Sequence, residues 1–140
     1  MKKPEYYYNQ AGVVPIKTEN GEVKIFLIKN RKGKKWILPK GIKEPDKTYL
    51  DIAAQEAFEE AGLKGKVFPR KVKSYKYNKW DGICKVDFYL MKVEEVYQVY
   101  PEDFRQRKHV SIKKAKKLLD DKLLFKIIKK AVKKFQHEIT

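Results

Sequence analysis

The stretch from Thr48 to Gly62 constrains this chain more than any other. Leu50, Ala53, Ala54, Ala57, Phe58 and Ala61 recur at helical spacing. Thr48 is a natural N-cap, and Asp51 stands three residues on, where a carboxylate meets unpaired backbone N–H groups. Gly62 is a natural stop, because glycine takes the left-handed cap conformation without a Cβ clash. The pattern predicts a helix over Thr48–Ala61. On it Glu56, Glu59 and Glu60 fall at i, i+3 and i+4, which puts three carboxylates on one face. Acids are scarce here: Lys and Arg number 34, Asp and Glu 18, for a net charge of +16. Three clustered carboxylates repel one another unless a hard cation neutralises them, and magnesium prefers such oxygen ligands. Spacing alone leaves two readings open, a metal site or a solvated acidic face.

Around this helix the chain reads as strands and turns. Ala11–Ile16 and Val23–Ile28 are apolar runs joined by a turn signal at Thr18–Gly21, a β-hairpin. A second turn at Asn30–Lys34 leads into a short strand, Trp36–Leu38, ended by Pro39-Lys-Gly41; a polar loop, Ile42–Lys47, follows. Lys66–Tyr77 and Ile83–Val93 alternate aromatic and β-branched residues with lysines, as strands do, and are joined by a turn at Asn78–Gly82. Pro101 breaks the chain. Val110 and Ser111 lead into a helix over Ile112–Leu119, and a basic amphipathic helix follows over Asp121–Phe135, with a core-packing face and a lysine face. Strands, a helix, more strands, then helices point to a mixed sheet with helices packed on it.

Length and composition narrow the function classes. A chain of 140 residues, 42% of them hydrophobic, is the size of one domain with one real core. One cysteine, Cys84, excludes an internal disulfide and suits a reducing compartment. No run approaches the roughly 20 apolar residues needed to span a bilayer, and Met1–Tyr8 lacks a signal peptide's apolar core. The expectation is a cytoplasmic protein without membrane contact, monomer or homodimer. The positive surface suits anions, RNA among them. Arginine supplies only four of the basic residues, however, and a lysine bias of that kind also follows from coding composition or thermal adaptation. His109, His137 and Cys84 show no zinc spacing. Tyr6, Tyr7 and Tyr8 suit stacking on a base or, more simply, an edge strand; Trp36 and Trp80 read as core or rim.

Gly41 to Leu63, GIKEPDKTYLDIAAQEAFEEAGL, resembles the Nudix box, Gly-x5-Glu-x7-Arg-Glu-U-x-Glu-Glu-x-Gly-U, where U is a bulky aliphatic residue. Gly41, Glu56, Glu59, Glu60, Gly62 and Leu63 fall in register across it. Three positions depart: Lys47 stands for the first glutamate, Gln55 for the arginine and Ala57 for the aliphatic. The flank Trp36-Ile-Leu-Pro-Lys-Gly41 resembles the diphosphoinositol polyphosphate and dinucleoside polyphosphate hydrolase branches, and Tyr100–Arg107 resembles a bacterial group near them.

The resemblance implies an α/β fold, a Nudix α/β/α sandwich with a mixed sheet, filling residues 1–140. It implies Mg2+ or Mn2+ held by Glu56, Glu59 and Glu60, with the carbonyl near Gly41 completing the shell. It implies hydrolysis of a phosphoanhydride in a small-molecule polyphosphate, such as a dinucleoside polyphosphate or a diphosphoinositol polyphosphate. RNA or nucleoside triphosphate pyrophosphohydrolase, or a catalytically weak nucleic-acid-binding module, are the alternatives. Glu56, Glu60 and a downstream carboxylate are the catalytic candidates. Of Glu94, Glu95 and Glu102, Glu102 is favoured, for its Pro-Glu-x-x-Arg-x-Arg setting. Lys40, Lys47 and Arg31 are candidate substrate contacts. Arg105 and Arg107 share a face if extended and suit a phosphate or a salt bridge to a box glutamate. Gln55 donates without charge, so weaker metal affinity is expected.

Overall fold

A computed structural model describes residues 1–138. Seven strands form one sheet: β1 (Asn9–Glu19), β2 (Glu22–Lys29), β3 (Trp36–Ile37), β4 (Lys40–Ile42), β5 (Leu63–Lys79), β6 (Gly82–Val96) and β7 (Arg107–Ser111). Three helices complete it: α1 (Tyr49–Ala61), α2 (Ile112–Leu118) and α3 (Lys122–Glu138). The strand order is β3-β2-β1-β6-β5, with β4 paired to β1 and β7 to β2. Among the described residues only β1 and β6 run parallel, so the sheet is mixed, as expected.

Alternation along the strands splits the core in two. Ala11, Val13, Phe26 and Met91 face α1 and meet Ile52, Ala53, Ala57 and Ala61. Val14, Ile16, Ile25 and Leu90 face the other way and meet Ala115 of α2 and Leu124, Ile127, Ile128, Val132 and Phe135 of α3. Helices thus cover both sides of the sheet, the expected sandwich. No helix among the described residues is long and apolar enough to cross a membrane.

Both ends of α1 are built as the sequence suggests. Asp51 N donates to Thr48 Oγ1 and Thr48 N to Asp51 Oδ2, each at 3.1 Å, a reciprocal capping box. Gly62 closes the helix at φ 66°, its N–H donating to the carbonyls of Ala57 and Phe58. The Tyr100 ring lies where a side chain at Gly62 would go.

Three expectations need correction. Lys40–Ile42 is a strand rather than the end of one, because its backbone finds partners in Gln10, Ala11 and Gly12 of β1. Arg107–Ser111 pairs along Lys24–Ile28 as β7. The tyrosine triad is no edge strand: Glu5–Tyr8 forms a 3-10 turn begun by Pro4. Tyr8 donates its hydroxyl to the Trp80 carbonyl at 2.5 Å, and Tyr7 and Tyr8 pack edge-on against the Trp80 ring. These contacts hold a two-residue turn in which Trp80 and Asp81 both have positive φ, 53° and 55°, a conformation unfavourable for tryptophan.

Candidate active site

Strand β4 and helix α1 face each other across a cleft of about 760 Å3. Gly41 makes their approach close enough: a Cβ there would overlap the Glu56 side chain. Glu56, Glu59 and Glu60 are half-buried along this wall, with Glu44 and Glu102 nearby. Arg31, Lys32, Lys40, Lys79 and Arg105 supply the cations, and Gln10, Ile37, Ile42, Gln55, Tyr77 and Trp80 complete the lining. Acid and base balance here in a chain whose net charge is +16, so the cleft gathers acids out of proportion.

Burial and crowding dominate the electrostatics. Burial first, then the charges of Glu60 and Glu59, push the Glu56 carboxyl up to about 8. The Glu60 carboxyl is also raised, by burial above all, against the pull of the Lys40 N–H and the Arg105 guanidinium. Lys40 N donates to Glu60 Oε1 at 3.1 Å, so β4 orients this carboxylate through its own backbone. The Lys40 ammonium donates to Tyr77 Oη at 2.8 Å and lies 3.4 Å from Gln10 Oε1; burial lowers its pKa.

The second wall is the segment before β7. Glu102 N donates to the Glu59 carbonyl at 2.8 Å, docking this segment on α1. Arg105 is buried, its Nε and Nη2 donating to Glu102 Oε1 at 3.1 and 2.8 Å and its Nη1 to the Lys29 carbonyl at 3.0 Å. Its Nη2 also lies 3.8 Å from Glu60 Oε2. The salt bridge to a box glutamate suggested by the sequence is thus present as this longer contact, beside the direct bonds to Glu102. Arg31 Nη2 reaches Glu102 Oε1 at 3.1 Å from an exposed position.

The structure brings together Gly41, Glu56, Glu59, Glu60, Glu102, Lys40, Arg31 and Arg105. Lys47 stands behind the wall, donating to Gln55 Oε1 at 2.8 Å. Arg107 lies outside the cleft: its Nη1 donates to the carbonyls of Ala61 and Tyr97 at 2.7 and 2.8 Å, a cation placed at the C-terminal end of α1. Glu95 pairs with Tyr97, and neither it nor Glu94 lines the cleft. Tyr77 and Lys79 also line the cleft without any sequence signal, and Trp80, which the sequence suggests as core or rim, joins them. They sit at and beside the tip of the β5–β6 hairpin, and no local motif marks them as part of the cleft.

The NUDIX domain pattern matches residues 7–130. This chain belongs to the Nudix family. The chloroplastic Nudix hydrolase 21 of Arabidopsis thaliana is 34% identical over 115 residues, covering 78% of this chain and 58% of the relative. Diphosphoinositol polyphosphate phosphohydrolase 3-beta of Bos taurus is 27% identical, covering 83% and 71%. The chain thus spans little more than half the length of some curated Nudix relatives. Among solved structures, a C. elegans Ap4A hydrolase in a binary complex superposes with a TM-score of 0.77 over 93% of this chain and 98% of that one, at 18% identity. A Nudix domain of Shewanella oneidensis NrtR bound to ADP ribose gives 0.71 over 91% and 87%, at 12% identity. At such identities these two matches speak for the Nudix fold alone.

Proposed function

We propose that this chain hydrolyses phosphoanhydride bonds in compact polyphosphate substrates, using Mg2+ or Mn2+ held by Glu56, Glu59 and Glu60. The carrying observation is the half-burial of these carboxylates beside Gly41, with Glu56 pushed up to about 8. Like charges under cover favour a cation among them. Among the described residues no three acidic, histidine or cysteine groups stand together so as to hold a metal ion by themselves. The donor set still fits magnesium, which takes one or two carboxylates and fills its shell with water and substrate phosphate. When bound, such a cation neutralises phosphate charge and acidifies a coordinated water.

The chain's own residues supply the rest. Glu56 has no cationic partner of its own and is the carboxylate proposed to take the proton of the attacking water. Glu60 is aimed by the Lys40 N–H. Glu102 accepts from two guanidiniums, and its proposed part is to hold Arg31 and Arg105 at the cleft. Arg31, Lys32, Lys40 and Lys79 face the phosphates. Tyr77 and Trp80 offer faces on which a nucleobase stacks. That pairing of cationic and aromatic walls favours a nucleoside diphosphate linked to a second group, as in dinucleoside polyphosphates, over a diphosphoinositol polyphosphate.

The test is a panel of dinucleoside polyphosphates, diphosphoinositol polyphosphate, nucleoside triphosphates and triphosphate-ended RNA, with Mg2+ or with chelator. We expect metal-dependent release, fastest on dinucleoside polyphosphates, and a fall of about 1,000-fold or more in Glu60→Gln. Faster turnover of triphosphates or RNA would reassign the substrate. Folded protein with no release across the panel would favour a nucleic-acid-binding module.

A further inference from the structure

The two polar departures from the box touch each other. Lys47 lies in the loop before α1 and Gln55 on the second turn of the helix, and Lys47 Nζ donates to Gln55 Oε1 at 2.8 Å. Gln55 Nε2 in turn lies 3.4 Å from Glu56 Oε2. Behind Lys47, Glu44 Oε2 is 3.5 Å from the ammonium, and Lys47 N donates to the Glu44 carbonyl, which fixes this turn of the loop. Lys47 does not line the cleft, while Glu44, Gln55 and Glu56 do. Any influence of Lys47 on the cleft therefore passes through a neighbour.

We propose that Lys47 is a positioning residue: it sets which end of the Gln55 amide faces Glu56, so that positions 47 and 55 work only as a matched pair. The two ends of a primary amide are nearly equal in shape and opposite in polarity. An ammonium only donates, so the amide oxygen turns toward Lys47. The NH2 end is left for Glu56, whose carboxylate only accepts when ionised. Glu56 is held on its other side too, because its Oε1 lies against the Gly41 backbone with no room for a methyl group between them. One oxygen rests on Gly41 and the other is met by Gln55, which together set the plane of the carboxylate. Reversing the polarity at position 47 alone reverses the amide and presents an oxygen to an oxygen. Placing a cation at position 55 alone sets it against Lys47.

The inference rests on the metal reading above, and the measurement separates the two. Mn2+ binding is followed by calorimetry without substrate, alongside the 15N-correlated side-chain NH2 signals of Gln55 in metal-free protein. Wild type is compared with Lys47→Glu, Gln55→Arg, the double variant and Lys47→Arg, all melted first to confirm folding. Lys47→Glu and Gln55→Arg should each weaken Mn2+ about 10-fold, the size seen when groups orienting a metal ligand are lost. The double variant should return to within about 3-fold of wild type, an interaction that independent sites do not show. Lys47→Arg keeps a donor and should stay close to wild type. In the metal-free protein the Gln55 NH2 signals should move in Lys47→Glu and hold in Lys47→Arg. Single effects that simply add in the double variant, or NH2 signals indifferent to Lys47→Glu, overturn the pairing. A wild type that binds no Mn2+ overturns the metal reading, and the NH2 signals then decide the pairing alone.

Discussion

Helices α1 and α3 pack on opposite sides of one sheet, and each carries like charges along its outer flank. On α3 these are Lys126, Lys129, Lys130 and Lys133, all exposed, while its apolar stripe goes into the core. On α1 they are Glu56, Glu59 and Glu60, all half-buried against β4 and the Glu102 segment. Water screens the first set, so its repulsion costs little. The second set is partly dehydrated, and Glu56 records this by rising to about 8. Most of the +16 charge therefore says less about this protein than three acids do. Charge becomes informative where the fold forces it under cover.

Removing a charge from each region should give the largest contrast. Arg105 is 6% exposed at its side chain and answers Glu102 and Glu60. Arg105→Ala takes the buried guanidinium from both carboxylates, leaving Glu102 only the exposed Arg31 and Glu60 only the Lys40 N–H, and should destabilise the fold by about 3 kcal/mol. Lys133→Ala on α3 should cost under about 0.5 kcal/mol. Urea denaturation of both variants decides the matter, and equal losses would mean that burial is not what separates the two faces.

A smaller effect is expected from moving a charge without removing it. Gly41→Ala drives a methyl group into Glu56 and keeps every charge. Turnover should fall about 100-fold, the usual result of an ångström-scale displacement at a reacting centre. An unchanged rate would show that the cleft needs the charge of Glu56 near, whatever its placement.

These contrasts track what the sequence could tell. The α1 register was legible because capping, periodicity and the Gly62 stop all act within a few residues of one another. Gly41 and the three glutamates were legible through the family pattern, and their spacing had already put them on one face. Tyr77 and Trp80 were not, since they reach the cleft only through a long hairpin whose tip is held by Tyr7 and Tyr8, some 70 residues away in the chain. Arg105 and Arg107 looked alike in sequence and differ in use, because β7 begins between them and one side chain enters the cleft while the other meets the end of α1. The bond between Lys47 and Gln55 needed the helix to bring residues eight apart side by side.

The smallest effect separates the two faces through pH. The Glu56 carboxyl moves from 4.5 to about 8 on folding, and Glu60 shifts the same way. A raised folded value means that the native state holds the proton more tightly than the unfolded chain. The associated stability is fully present below about 4.5 and is lost as pH rises through 8. In chelator, the melting temperature should therefore fall by a few degrees between pH 5 and pH 8. His109 works in the opposite direction, since burial lowers its pKa and favours its neutral form as pH rises. The telling quantity is the difference between wild type and Glu56→Gln, in which the His109 contribution cancels. That difference should change with pH in chelator and shrink when Mn2+ is added, because a bound cation stabilises the ionised carboxylate. The same comparison with Lys129→Gln on α3 should be flat across this window, since that side chain stands exposed in water and folding does not cover its charge. A flat Glu56→Gln difference would erase the distinction between covered and solvated charge on which the site rests.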